Sequence, residues 1–305
     1  MSRISVTIVL SLFCSLYVFP QKYIERGYRT ILSRDAQIFV NTLASDSMQG
    51  REAGNEGGRR AAEYIVSLLE EWGVEPLDKG DYLQPFAVDD CKMNNIIAMI
   101  PGKSNEFIII GAHYDHVGFG VPVDGDSCYN GADDNASGVS AVLQIARAVK
   151  KMRRTPERGI IFAFWDGEEK GLLGSRHFVE NCTFLSAVSA YMNFDMIGRG
   201  PVDNLKHLSY FYTASHPLFG DWLKEDMLVR GFSFLPDYRA WDNPVGGSDN
   251  AYFAKNGIPI VWYHTEGHPD YHRPSDEADK IDYEKLLDIT RAAFLCAWRL
   301  ANEEY

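Results

Sequence analysis

Positive charge is in short supply in this chain. Its 305 residues carry 30 Lys and Arg against 42 Asp and Glu, a net charge of −12. A surface that grips a nucleic-acid backbone needs clustered cations, so this balance argues against a nucleic-acid partner. Cysteine is scarce too. Cys14, Cys91, Cys128, Cys182 and Cys296 match neither a disulfide framework nor a thiolate zinc site, and no Cys-x-x-Cys occurs. Isolated thiols are the expectation. A Gly-x-Ser-x-Gly elbow, a phosphate-binding loop and a His-Glu-x-x-His helix are all missing, which removes three large enzyme classes. Only one long apolar run exists, Ile4 to Phe19, between Arg3 and Pro20-Gln21-Lys22. It is short for a spanning helix and sits at the N-terminus, so residues 1–20 read as a secretory signal peptide. The mature chain, 21–305, is then periplasmic or secreted, with no stable membrane insertion. Cys14 raises a lipid-anchored alternative, but Leu12 and Phe13 before it are not the small residues such a site wants.

Acid is abundant, and so is apolar content, at 46%. The length suffices for one large α/β domain or two small ones. Arg34–Leu43 and Gly57–Trp72 read as helices. Ala61, Tyr64, Ile65, Leu68 and Trp72 form the apolar face of the second, and Gly73 is placed to end it. Asn95–Ile100, Phe107–Gly111, Gly159–Trp165, Val188–Asp195, His207–Thr213 and Ile258–His264 read as strands. Helices are expected over Val139–Val149, from Ser175, over Asp249–Lys255 and over Tyr283–Asn302. Strands alternating with helices imply an α/β fold: a three-layer sandwich with a central, mostly parallel mixed sheet flanked by helices.

In such a sheet the ligand site lies at the carboxyl ends of the strands. The residues there carry chemistry. His113 and Asp115 follow one strand, and Asp133-Asp134-Asn135 precede a helix. Asp166-Gly167-Glu168-Glu169 follow a second strand, and Asp195 closes a third. A fourth leads into a loop with His268, Asp270 and His272. Singly, each piece has a bland reading: a structural histidine, a solvated acid pair, a helix cap. Together, five strand ends or loops beside them deliver carboxylate or imidazole toward one rim, where a shared cation is the economical partner. His, Asp and Glu without Cys suit zinc in a hydrolytic site, or manganese or cobalt. There are more donors than one tetrahedral zinc needs, which suits two ions with a bridging carboxylate.

The stretches Gly111–His116, Asn130–Gly138, Gly167–Ser175, Asn193–Arg199 and His268–His272, in this order, resemble the co-catalytic di-zinc aminopeptidases of metallopeptidase family twenty-eight. Glutaminyl cyclases are their relatives. The similarity runs from about Leu43 to Leu300 and includes Met48-Gln49-Gly50-Arg51 and Gly54. It implies a zinc-exopeptidase fold of the phosphorylase/hydrolase-like type, without a protease-associated insert. It also implies two zinc ions and peptide substrates with a free N-terminus. Asp134 would bridge the ions, next to a cis peptide bond to Asn135. His113 and Asp195 would complete one ion, Glu169 and His272 the other. Asp115 would fix the His113 tautomer, Glu168 would be the general base, and Tyr271 would donate to the oxyanion.

The sequence departs from the family in two places. Ser248-Asp249-Asn250 stands where Ser-Asp-His is frequent. The segment from Asp166 to Glu169, with Gly174–His177, is similar to the glutaminyl cyclase version. A cyclase would hold one zinc through Asp134, Glu169 and His272. Asp133–Gly138, Asn193–Arg199 and Tyr271 are of the peptidase type. The other readings are a carboxypeptidase or other amide hydrolase, and a non-enzymatic metal-dependent binding protein on the same scaffold. The retained Glu168 speaks against the last. Phe119, Tyr238 and Trp241 are candidates for the walls of a side-chain pocket.

Overall fold

The computed structural model describes residues 22–78, 80–242 and 247–305. The proposed signal peptide and Cys14 lie outside the described residues. After a short helix α1 (22–28) come α2 (Ser33–Leu43) and α3 (Glu56–Trp72). Strands β1 (Glu75–Pro76), β2 (Leu83–Val88), β3 (Cys91–Ile100) and β4 (Phe107–His113) follow, then a hairpin of β5 (Gly118–Val123) and β6 (Asp126–Tyr129). The rest of the chain is α4 (Gly138–Met152), β7 (Gly159–Trp165), α5 (Leu173–Asn181), β8 (Val188–Phe194), β9 (His207–Tyr212), α6 (Leu218–Arg230), β10 (Leu235–Ala240), α7 (Asn250–Lys255), β11 (Ile260–His264) and α8 (Tyr283–Asn302).

Among the described residues, nine strands form one sheet in the order β1-β3-β7-β4-β8-β11-β9-β10, with β2 on β3. The four central strands β7, β4, β8 and β11 are mutually parallel; β3 joins β7 and β9 joins β11 antiparallel, and the edge strand β10 pairs parallel with β9. Alternation within each strand sorts side chains between two cores. Ile108 and Ile110 of β4 pack with Phe162, Met192, Tyr263 and helices α2, α3, α4, α6 and α8. Ile109 faces the other way, to Ile161, Tyr191, Trp262 and helices α5 and α7. That is why these strands read as continuous apolar runs: both faces are covered.

Helix α3 stops at Gly73, whose φ of 66° is the left-handed cap position. Helix α6 was not foreseen, because its apolar residues run around the whole circumference and Leu228 and Val229 are exposed. The strands β2 and β10 and the β5–β6 hairpin also escape the sequence reading, since each is short and largely solvent-facing. The four described cysteines are free thiols.

The polar loop before α3 has a structural task. Arg51 is fully buried and donates to the carbonyls of Leu43 at 2.6 Å, Tyr114 at 2.9 Å, Asn130 at 2.6 Å and Gly131 at 2.8 Å. It ties the loop to the segments on either side of the β5–β6 hairpin. Arg51→Met strips these acceptors of their donor, at about 1–3 kcal/mol for each group left unsatisfied. A loss of about 3 kcal/mol or more in urea denaturation is the expected result, and a change under 1 kcal/mol would contradict it.

Candidate metal centre

The four central strands end on one side, and each end supplies donors. His113 is the last residue of β4, and His116 lies three residues beyond it. Glu168 and Glu169 follow β7, Asp195 follows β8, and the loop after β11 brings His272. Asp134 comes from the irregular turn Ala132–Ser137 that leads into α4. The peptide bond between Asp134 and Asn135 is cis.

Neighbouring side chains hold this turn in place. The Asn135 amide donates to the Phe194 carbonyl at 2.9 Å, and its oxygen accepts from Gly138 at 3.1 Å and Met196 at 3.2 Å. One Asp276 oxygen accepts from the main-chain N–H of Asp133 at 3.0 Å and of Asp134 at 3.1 Å. The turn is therefore stitched to the end of β8, and Asp134 and Asp195 keep a defined separation.

Two groups of donors meet at Asp134. In the first, His113 Nε2 lies 3.4 Å from Asp134 Oδ1 and 3.5 Å from Asp195 Oδ1. In the second, His272 Nε2 lies 3.1 Å from both Asp134 Oδ2 and Glu169 Oε2. His116 belongs to this second group, with Nδ1 2.7 Å from Glu169 Oε1 and 3.7 Å from Asp134 Oδ2. Donors around a tetrahedral zinc at about 2.05 Å stand about 3.3 Å apart. Both groups fit that spacing, and Asp134 offers one oxygen to each.

The electrostatics follow from close packing of opposite charges. Burial opposes ionisation of Asp134, yet hydrogen bonds from His113 and His272 hold its carboxyl well below the usual range. Glu169 is also lowered, by His116 and His272 against its burial and the charge of Asp134. Burial works against the His272 imidazolium, but Asp134 and Glu169 lift it to about 10. Glu168 has no such support. Burial pushes its carboxyl up to about 10, with Asp195 and Asp249 adding to the effect and His113 opposing it.

The structure refines several expectations. Asp115 Oδ1 is 3.7 Å from His113 Nδ1, and its main-chain oxygen, at 3.2 Å, is the nearer partner. The Asp115 carboxylate instead accepts from the N–H groups of Glu168 at 3.1 Å and Glu169 at 3.3 Å. Asp115 thus sets the path of the loop that carries both glutamates. His268 and Asp270 do not reach the centre. His268 Nε2 faces Asp133 at 3.3 Å, and Asp270 pairs with Arg199 at 2.6 Å. Tyr271 stacks on the His272 ring, with 3.9 Å between centroids.

A cavity of about 210 Å³ opens over the centre, lined by Glu168, Met196, Trp262, His264 and Tyr271 among others. Phe119, Tyr238 and Trp241 are not among its walls. Phe119 is exposed on the hairpin, Tyr238 packs against Tyr210, and Trp241 lines a separate cavity. Two residues escaped the sequence reading. His116 lies inside the motif that names His113 and Asp115, and only its proximity to Glu169 reveals it. Asp276 lies beyond the last motif, and no local signal marks it.

The model of peptidase family M28 matches residues 95–297. The chain belongs to this family. Among M28 relatives, leupeptin-inactivating enzyme 1 of Streptomyces exfoliatus is 30% identical over 224 residues, 72% of this chain and 46% of that protein. Leucine aminopeptidase 1 of Metarhizium robertsii is 28% identical over 289 residues, 88% of this chain and 71% of that protein. The chain thus spans only about half of the Streptomyces enzyme. Of solved structures, LapA of Legionella pneumophila superposes with a TM-score of 0.75 at 25% identity, over 93% of this chain and 77% of LapA. A glutaminyl cyclase of Porphyromonas gingivalis shares the fold, with a TM-score of 0.69 at 20% identity over 86% of this chain and 96% of the cyclase.

Proposed function

We propose that this M28 protein is a two-zinc aminopeptidase that releases N-terminal residues from peptides. The observation that carries the proposal is Asp134, shared between two donor groups beneath a cavity that also holds Glu168. His113, Asp134 and Asp195 would hold one ion, and Asp134, Glu169 and His272 the other. Imidazole and carboxylate donors without thiolate suit zinc in a hydrolytic site. Bound there, zinc supplies Lewis acidity that brings water close to ionising near neutral pH.

The chain's own groups supply the rest. Glu168 takes the proton of the attacking water and delivers it to the leaving amine. Its high pKa, near 10, comes mainly from burial, and positive charge in the site brings such a carboxyl toward the range where a base is useful. The Tyr271 hydroxyl donates to the oxygen that gains charge. Unshared carboxylate oxygens of the centre receive the free α-amino group, which favours chain ends over interior bonds. Met196 and Trp262 offer an apolar wall in a small cavity, a fit for a leucine-sized side chain. The similarity to leucine aminopeptidase 1 of Metarhizium robertsii supports the same reading.

Residues 21–305 are taken as one peptidase domain, in accord with the nine-stranded sheet of the described residues. The apolar run Ile4–Phe19 supports action outside the cytoplasm. No helix of the described residues is long and apolar enough to cross a membrane.

The second reading is a one-zinc glutaminyl cyclase, favoured by the Asp166–Glu169 segment. The intact His113–Asp134–Asp195 group argues for the peptidase, because a one-zinc enzyme has no use for it as a metal site. A panel of aminoacyl-nitroanilides beside an N-terminal glutaminyl substrate separates the two. Chelator-sensitive release of nitroaniline, with preference for leucine, is the expected result. Turnover of the glutaminyl substrate alone would overturn the proposal.

A further inference from the structure

We infer that His116 is a metal ligand through Nδ1, so that the Asp134–Glu169–His272 site has four protein donors while the His113–Asp134–Asp195 site has three. The inference rests on the two-zinc reading above. Family resemblance gives each site three donors and leaves His116 without a role.

Four observations support it. The His116 side chain is fully buried, so Nδ1 is committed to whatever it faces. It faces the site: Nδ1 is 2.7 Å from Glu169 Oε1 and 3.7 Å from Asp134 Oδ2, and its ring meets that of His272 edge-on at 5.6 Å. The ring is also locked in this pose. A Cβ on Gly131 would come within 2.5 Å of it, so glycine at that position makes room for the imidazole. Gly131 also has φ of +58°, a conformation that glycine adopts at no steric cost. The other ring nitrogen, Nε2, is buried with no hydrogen-bond partner among the described residues, so no bond they offer on the far side explains the placement.

The consequence is an asymmetric pair. The site with two imidazoles and two carboxylates fills first and holds its ion more tightly. The site with one imidazole and two carboxylates is the weaker and exchanges sooner. Loss of an outer partner of a zinc ligand typically costs about 10- to 100-fold in affinity, and loss of a ligand should cost more.

Two variants separate ligation from mere positioning. His116→Ala removes the donor. His116→Asn leaves an amide near the Nδ1 position, able to hydrogen-bond Glu169 but a poor zinc ligand. Zinc(II) alone is titrated into metal-stripped protein against a chromogenic chelator. Wild type should show two resolved binding steps. Both variants should lose at least about 100-fold in the tighter step, beyond the usual range for an outer partner, and leave the weaker step within a few-fold. Near-wild-type affinity in His116→Asn would overturn the inference and make His116 a positioning residue for Glu169. X-ray absorption on wild type with one equivalent of zinc needs no variant: two imidazoles support the inference, and one overturns it. These readouts are metal binding, so they stand apart from turnover. Failure to cleave the nitroanilide panel would defeat the aminopeptidase reading and leave the ligand count to be read as before.

Discussion

Glu168→Gln is expected to lower kcat by about 100- to 10,000-fold, with little change in KM. The amide keeps the shape and the apolar contacts of the carboxyl but cannot accept a proton. Glu168 reaches the cavity from the loop after β7, and Asp115 anchors that loop through the N–H groups of Glu168 and Glu169. Zinc content should therefore remain at two per chain in the variant. Kinetics on an aminoacyl-nitroanilide with parallel metal analysis make the check. Turnover within threefold of wild type would show that Glu168 is not the base. A matching loss of metal would show that its role is to support the centre rather than to move a proton.

Removal of metal is expected to abolish turnover and also to weaken the fold. Asp134, Glu168 and Asp195 line one small cavity and Glu169 sits beside Asp134, while Asp249 is fully buried nearby, with burial raising its carboxyl to about 7. Cations offset this repulsion, so an ion that binds only the folded state adds stability by mass action. At about 100 times Kd each ion contributes about 2.7 kcal/mol, or roughly 5 kcal/mol for a pair. For a chain of this size that corresponds to about 10 °C in Tm. Differential scanning calorimetry with and without chelator measures it, and zinc should restore both Tm and turnover. An unchanged Tm after verified removal of metal would mean that the carboxylates are neutralised by their own histidines alone.

The pattern of apolar residues determined the layers, because strands buried on both faces must read as unbroken runs of Ile, Phe and Val. Phe107–His113 and Gly159–Trp165 are legible for that reason. The candidate donors after those strands are legible too, since a parallel sheet gathers its strand ends on one side. Helix α6 and the solvent-facing strands are not, because a partly exposed element leaves little periodicity to read.

Composition and motif order thus determined the family, the acidic character and the candidate metal chemistry of this protein. Only the tertiary structure decided how the donors are shared. It turned His268 and Asp270 toward Asp133 and Arg199, away from the centre. It lined the cavity over the centre with Met196 and Trp262 rather than Phe119 and Trp241. It brought His116 to Glu169 and placed Asp276 beneath the turn of Asp134. Each is a contact between residues at least 53 apart in the chain, and most lie much farther. Their directions depend on side-chain packing across loops, which carries no period that a sequence can display.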